Sequence, residues 1–471
     1  MSASERLDTL IIGAGMSGLA AGIRSAHFGQ RVQILEKHYL WGGLNSFYKL
    51  AGRRFDVGLH ALTNFADPRD PGAKRLPLAK VLRQLRLRYE DLQLGEQTES
   101  AIDFPGVRLR FSNDFDLMCT EIAEKFPSEI DGFRSFVSDF ADYPNLRTDP
   151  PGGSARARLA RYIDDPLLVD MLLLPVCYYG SPTERDLEWN TFLIMFKSIF
   201  EEGLARPEGG VRRILDLLRR RFQELGGELR MRTGVERILL DSSGHAVGVR
   251  LEDGSEVHAR CILSSAGFVE TMRLCGERHA DAHVAGEHFG NITCVESVSV
   301  LDRTCSALGH DETIVFFNTE ESMFFQRPEA PVDYRSGVIC CTDNYAARVP
   351  PKEGFFRLTV LANYDAWNAL GDDEYHALKA RVWQEGHDVV ASLGFDVRDH
   401  TVFKDVFTPR TIERFTGHVN GALYGSPVKS LQGATPVPGL YLCGTDQGLV
   451  GVVGALLSGI SMANRHALVN V

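Results

Sequence analysis

Residues 7–36 read Leu7-Asp8-Thr9-Leu10-Ile11-Ile12-Gly13-Ala14-Gly15-Met16-Ser17-Gly18-Leu19-Ala20-Ala21-Gly22-Ile23-Arg24-Ser25-Ala26-His27-Phe28-Gly29-Gln30-Arg31-Val32-Gln33-Ile34-Leu35-Glu36. The stretch divides into strand, glycine turn, helix and strand. Leu10-Ile11-Ile12 is a short apolar run suited to a buried parallel strand, and Gly13, Gly15 and Gly18 fall in the spacing G-x-G-x-x-G. Each glycine has its own task. Gly13 permits a tight turn, Gly15 removes the side chain that would block a pyrophosphate, and Gly18 lets the helix lie close on the sheet. Met16 and Ser17 open that helix, whose unpaired N–H groups and partial positive charge face the phosphates.

Arg31-Val32-Gln33-Ile34-Leu35 reads as the next strand, and Glu36 closes it 18 residues after Gly18. That is close to the place of an acid that holds adenosine ribose hydroxyls. A carboxylate there repels a 2′-phosphate, so the expected nucleotide is FAD or NAD rather than NADP. Downstream come Gly42-Gly43-Leu44-Asn45 and Phe55-Asp56-Val57-Gly58-Leu59-His60. Paired glycines let backbone approach a second part of a ligand, which points to a cofactor longer than an adenine half.

A chain of 471 residues is large enough for a sizeable core and two domains, the second either appended or inserted. Its net charge of −11 argues against nucleic acid as a partner and leaves a peripheral membrane contact open. The nine cysteines show no C-x-x-C or C-x-x-x-x-C spacing, so neither a zinc site nor a redox-active disulfide is expected, and no metal. Cys340-Cys341 reads as a pair of buried thiols in a strand. With no apolar leader ahead of the first strand, a cytoplasmic, reduced compartment is expected. Gly448–Ala463 is apolar enough to resemble a membrane span. Gly448, Gly451, Gly454 and Gly459, with Asp446 just before them, suit a buried helix facing a cofactor better.

From about residue 66 the composition turns to amphipathic helix with loops. Lys74–Glu90 has helical spacing, and Leu117–Phe140 carries apolar residues three and four apart, Phe126, Phe133, Phe136 and Phe140 among them. After a loop at 144–153, Arg156, Arg158 and Arg161, counted with Arg147, stand beside the apolar run Pro166–Leu174 and Tyr178-Tyr179. Two readings are open for this stretch: a surface resting on an anionic bilayer, or a plain domain helix. Pro207-Glu208-Gly209-Gly210 then precedes a helix at 211–225. Strands follow at 228–232, 235–241, 246–251 and 255–262, and the last runs into the small-residue turn Ser264-Ser265-Ala266-Gly267. Such a turn can close on a dinucleotide from the other side of a sheet. Residues 290–365 are β-rich, a helix is expected over 374–393, and Gly439–Leu442 is a strand that ends in Gly444-Thr445-Asp446. Cofactor-like segments thus stand at the start, middle and end, separated by two foreign stretches.

This layout and its motifs resemble the FAD-dependent phytoene desaturase, carotenoid isomerase and retinol saturase family, within the wider amine-oxidase-like flavoproteins. The resemblance covers nearly the whole chain. It implies an α/β fold: a Rossmann-type, glutathione-reductase-like FAD-binding domain built from residues 1–65, 203–270 and 410–471. An α+β substrate domain is inserted as residues 66–202 and 271–409. Phe55–His60, Gly421-Ala422-Leu423-Tyr424-Gly425 and Tyr441–Asp446 are similar to the saturase and isomerase side. In one place the chain departs from the pattern: many relatives carry a basic residue directly after the paired glycines, where this chain has Leu44-Asn45.

By the same resemblance, FAD would be held by Gly13, Gly15, Met16, Ser17, Gly18, Glu36, Lys37, Gly42, Gly43, Leu44 and Asn45. Gly58, Leu59, His60, Val235, Ala266, Gly267, Gly444, Asp446, Gly451, Val452, Val453, Gly454 and Ala455 complete the set. A helix N-terminus near Val453-Gly454 would face the charge that develops at flavin N1 and C2=O. Asp446 would hold the ribityl or phosphate region through hydrogen bonds. His60, on a segment that should run beside the cofactor, is the candidate proton donor or acceptor. Tyr178, Tyr179, Phe192 and Phe196 are candidate walls of an apolar substrate tunnel, with core packing the competing reading. A single dinucleotide fingerprint leaves no built-in NAD(P)H domain, so electrons would pass to or from an external partner such as a quinone, oxygen or a soluble reductant. The implied reaction forms, reduces or isomerises carbon–carbon double bonds in a long carotenoid, retinoid or other isoprenoid. Alternatives are an acyl-lipid desaturase, a flavin amine oxidase with a lysine beside N5, and a non-catalytic prenyl- or lipid-binding protein.

Overall fold

The computed structural model describes residues 6–65, 67–144 and 151–469; Arg147, with most of its loop, lies outside them. Strand Leu7–Ile12 is the centre of the first sheet. It pairs in parallel with Val32–Leu35 on one side and Glu256–Ser264 on the other. Glu228–Arg230 and Leu440–Leu442 extend the parallel sheet outward. Both faces of such a sheet are covered, which is why Leu10, Ile11, Ile34 and Leu35 read as unbroken apolar runs. Strand Glu256–Ser264 is long enough to serve twice: its first residues pair antiparallel with Ala246–Leu251, which in turn pairs with Val235–Leu240.

Helices Met16–His27, Val211–Glu224 and Gly451–Met462 share one apolar core against this sheet, through buried Leu19, Ile23, Leu215, Leu218, Leu456 and Ile460. The first helix sits low on its strand because of Gly18. A methyl group there would lie 2.1 Å from the carbonyl oxygen of Gly13.

The second sheet has the order Thr401–Phe407, Thr293–Leu301, Gly354–Ala362, Val332–Cys341, Ile314–Asn318, Ser100–Phe104, Val107–Phe111. All its pairings are antiparallel except that of Ile314–Asn318 with Ser100–Phe104. That parallel contact joins the two foreign stretches into one sheet. Side chains on a strand alternate between faces. Phe316 accordingly enters a helical layer with Phe133, Phe136, Phe192 and Phe196, while Val315 and Phe317 join the core of Asp372–Ser392 with Val382 and Val390.

Three expectations change. Leu117–Phe140 forms two helices, Phe115–Lys125 and Ile130–Asp139, because Pro127 between them has no N–H to donate. Ser100–Phe104 and Val107–Phe111 make a hairpin within a stretch read as helix and loop; Pro105-Gly106 turns it, with Gly106 at φ +76°. The bilayer reading of Pro166–Gly180 is overturned. The helix is buried continuously from Leu168 to Tyr178, so no apolar face is left for lipid, and Arg156 pairs with its Asp170 at 2.5 Å. Among the described residues no helix is long and apolar enough to cross a membrane. All nine cysteines are free thiols, and eight of them are buried, Cys340 and Cys341 included.

Candidate active site

A cavity of about 550 Å³ runs from the glycine turn of the first sheet to the face of the second. At its first end it is lined by Gly13, Gly15, Met16, Ser17, Glu36, Lys37, Gly42, Gly43, Leu44 and Asn45, with Val235, Ala266 and Gly444. Gly15 has ordinary backbone angles (φ −70°), and a methyl group on it would meet no protein atom within 4 Å. Neither the fold nor the packing asks for glycine there; only a ligand in the cleft would. A methyl group on Gly43 would meet only the Cα of Gly15, at 3.8 Å.

Gly13 differs: its φ of +94° is left-handed, and a methyl group would lie 2.4 Å from Ser265 Oγ. Ser265 donates from that oxygen to the carbonyl of Ile12 at 2.9 Å, so the turn 264–267 closes directly on the N-terminal turn. Gly42 N–H donates to the carbonyl of Ala14 at 2.9 Å and lays the paired glycines against Gly15. Glu36, buried at the strand end, accepts N–H bonds from Ala14 and His38, each at 2.9 Å. A carboxylate accepts about four such bonds, so capacity remains for ribose hydroxyls.

Helix Gly451–Met462 begins two residues earlier than expected, with Val450 as its cap. Gly451, Val452 and Ala455 line the cavity. Val453 and Gly454 face the other way, into a separate small cleft with Asn64 and Ser198. Nor do Gly18, Gly267 and Asp446 line the cavity. The Asp446 carboxylate is instead committed to the protein: it accepts from the N–H of Phe268 at 2.7 Å and of Ser426 at 2.8 Å. It ties the start of helix Phe268–Leu274 to the C-terminal turn and stands behind the cavity wall rather than in it, which corrects its expected place beside the ribityl or phosphate region.

Gly58, Leu59 and His60 line the far end, against the second sheet. This segment is clamped by two arginines, the buried Arg357 and the partly buried Arg206. Arg206 donates to the carbonyl of Leu59 at 2.6 Å and of His60 at 3.0 Å, and pairs with Asp56. Arg357 donates to the carbonyls of Leu59, at 2.8 Å, and Val57. On strands that pair directly, Glu296 faces Thr359, with Arg357 beside them. His60 Nε2 lies 3.0 Å from Glu296 Oε2 and 3.1 Å from Thr359 Oγ1, which itself donates to Glu296 at 2.9 Å. Arg357 Nε donates to the other carboxylate oxygen at 2.5 Å. Burial pushes the His60 pKa below its ordinary value against the pull of Glu296, with Arg357 and Arg206 adding to the depression. For Glu296 burial alone would raise the pKa, but Arg357, then His60 and Thr359, outweigh it and hold the carboxyl below its usual range.

Tyr178 and Tyr179 line the far end together with Ile292, Phe325, Leu361 and Tyr424. Tyr178 is bonded to Ser336 at 2.8 Å, and Tyr424 donates to the carbonyl of Tyr178. The buried hydroxyl of Tyr179 has no partner among the described residues. Phe192 and Phe196, expected as walls, do not reach the cavity. They are fully buried in the aromatic core, Phe192 stacked on Trp189 and Phe196 edge-on to Phe136, because they lie on the face of helix Trp189–Phe196 that turns inward with Trp189.

Sequence reading missed Glu296, Arg357, Thr359 and Arg206. A signal was present: Glu296 and Arg357 are each the one charged residue of a long, almost wholly buried strand, which calls for a partner.

Open space at Gly15 and Gly43, an acid at the adenosine end, a helix N-terminus and a long continuous cleft fit a flavin dinucleotide. Comparison with known proteins agrees. Residues 16–465 match the profile described as flavin containing amine oxidoreductase. The chain is 26% identical to chloroplastic prolycopene isomerase of Arabidopsis thaliana, over 98% of this chain and 82% of that one. It is 23% identical to all-trans-retinol 13,14-reductase of Danio rerio, over 97% and 85%. Among solved structures, an oxidoreductase from Methanosarcina mazei superposes with a TM-score of 0.64 at 17% identity, covering 97% of this chain and 99% of that one. Putrescine oxidase superposes with a TM-score of 0.62 at 16% identity, covering 98% of both chains. These two share the fold. The chain belongs to the flavin containing amine oxidoreductase family, and it is an oxidoreductase with FAD as cofactor.

Proposed function

We propose that the protein forms, reduces or isomerises a carbon–carbon double bond in a long isoprenoid of the carotenoid or retinoid kind. One observation carries this reading: the cofactor cleft continues into an apolar chamber, and the imidazole of His60 lines the cavity beside that chamber. The relatives named for prolycopene and retinol chemistry support the substrate class. When bound, the flavin exchanges a hydride with the substrate.

The chain's own residues do the rest. Glu36 holds the adenosine ribose, Gly15 and Gly43 admit the pyrophosphate, and the N–H groups of Gly451 and Val452 meet negative charge at the helix end. Leu44 supplies no positive charge; the cations lining the cavity among the described residues are Lys37 and Arg273. Ile292, Phe325, Leu361 and Val450 exclude water and orient the chain of the substrate. His60 moves the proton. Amine oxidation draws no such support. At the far end the lining carboxylate, Glu296, is already neutralised by Arg357, and the lining lysine, Lys37, stands beside Glu36 at the opposite end.

An external electron partner and a reduced, cytoplasmic setting belong to the same proposal. So does a peripheral contact with the membrane from which a water-insoluble substrate is drawn, made by a surface other than Pro166–Gly180. The test is incubation of the yellow holoenzyme with prolycopene, all-trans-retinol, an unsaturated acyl lipid and putrescine, in oxidised and reduced form. A changed polyene spectrum supports the proposal; turnover of putrescine alone overturns it.

A further inference from the structure

The network behind His60 does more than hold the ring in place; it selects which nitrogen carries the proton. Glu296 Oε2 lies 3.0 Å from Nε2, and an ionised carboxylate only accepts. Nε2 must therefore donate. Thr359 Oγ1 gives its own proton to Glu296 at 2.9 Å and can take a share of the Nε2–H at 3.1 Å. The carboxylate is kept ionised by Arg357, which is bonded to its other oxygen and is only 3% exposed. A neutral ring that donates from Nε2 has its lone pair on Nδ1. No protein group among the described residues engages Nδ1, and the ring lines the cavity.

We propose that Glu296 and Thr359 are positioning residues that fix His60 as the neutral Nε2–H tautomer, so that Nδ1 is the atom that takes the proton from, or returns it to, the substrate carbon. This rests on the functional reading above for its chemistry, but not for its geometry. In the desaturating direction one hydrogen leaves the substrate as hydride to the flavin, and the adjacent C–H bond then breaks. Its proton goes to Nδ1 and its electron pair becomes the new π bond. A cation beside a polyene gives up that proton readily, so a weakly basic ring suffices. The imidazolium that forms is met by the Glu296 carboxylate already in contact. In the saturating direction every transfer is reversed.

The charged groups that face the ring are Glu296 on strand Thr293–Leu301, Arg357 on Gly354–Ala362 and Arg206 on Leu204–Pro207. Arg357 offers donors only. In Glu296→Gln it keeps the amide oxygen, and the amide N–H₂ turns toward Nε2, which must then accept. The proton moves to Nδ1.

The test is ¹⁵N NMR of holoenzyme labelled in its histidines, with His60→Gln used for assignment. The expected spectrum of His60 at pH 7 shows a protonated Nε2 and an unprotonated Nδ1; Glu296→Gln inverts the two. Thr359→Val, which keeps the ion pair and tests the same network without an unpaired Arg357, should keep the tautomer but weaken its dominance. A protonated Nδ1, or a doubly protonated ring, in the wild-type protein overturns the proposal. Failure of every polyene to react, with the Nε2–H tautomer intact, would instead count against the substrate class.

Discussion

A methyl group on Gly459 would lie 2.0 Å from the carbonyl oxygen of Ser17. The helix that opens the dinucleotide turn and the helix that points its N-terminus into the cavity thus touch backbone to backbone, although they come from opposite ends of the chain. Gly459→Ala should force the helices apart and cost about 1–3 kcal/mol of stability, the usual range for overpacking. Urea unfolding measures it, and an unchanged midpoint would show that the helices have slack.

Gly15 and Gly18 separate binding from packing. Gly15→Val places its side chain in the open cleft, so the apoprotein should unfold as the wild type does while the purified protein is colourless. Gly18→Ala meets the carbonyl of Gly13 and should lose about 1–3 kcal/mol even without cofactor. Flavin content and apoprotein Tm, read side by side, distinguish the two. A Gly15→Val protein that remained yellow would remove the pyrophosphate from this turn.

The pair Glu296–Arg357 is buried on both sides. Arg357→Leu takes the cationic partner from buried Glu296 and frees the carbonyl of Val57, while that of Leu59 keeps Arg206, so a loss of about 3–5 kcal/mol is expected. Adding Glu296→Leu should restore part of it. Denaturant midpoints of the two single variants and the double variant give the coupling, and additive losses would deny the pair.

Glu202 gives the fold a pH dependence of known sign. It is largely buried, it accepts from Asn64 Nδ2 at 2.8 Å, and burial raises its pKa to about 7. Between its ordinary pKa and that value the folded state binds the extra proton, so stability falls as pH rises through this window. Glu202→Gln keeps the acceptor for Asn64 and never ionises. It should match wild type near pH 4.5 and exceed it by roughly 3 kcal/mol at pH 8, at 1.36 kcal/mol per pKa unit. Thermal melts at both pH values check this; an advantage that shrinks toward pH 8 would contradict it.

Phe192 and Tyr179 should behave in opposite ways. Phe192→Ala opens the aromatic core and should cost about 3–5 kcal/mol while leaving substrate KM unchanged. Tyr179→Phe removes a hydroxyl that bonds to no described residue, so stability should hold or rise, and any loss of turnover reports a contact with substrate. Melting curves and steady-state rates of both variants test the assignment.

The parallel sheet was legible because its signals are local. Gly13, Gly15, Gly18 and Glu36 sit within one βαβ unit, and the strands around them are continuous apolar runs. The second sheet was legible as composition but not as topology, since the pairing of Ile314–Asn318 with Ser100–Phe104 spans more than 200 residues and leaves no local trace. The same distance hid the partners of His60. Its own position followed from Phe55–Gly58, but Glu296, Thr359 and Arg357 are brought to it only by the pairing of Thr293–Leu301 with Gly354–Ala362. Phe192 and Phe196 were misplaced because an apolar helix in a core and one along a tunnel have the same periodicity.

This cleft is proposed to couple its flavin to a polyene. Anaerobic titration of the holoenzyme, oxidised and photoreduced, with prolycopene and with all-trans-retinol tests it most directly. The expected result is bleaching of oxidised flavin, reoxidation of reduced flavin, or isomerisation of the polyene with no net change in the flavin. No change in either the flavin or the polyene spectrum, while putrescine bleaches the flavin, would overturn the polyene assignment.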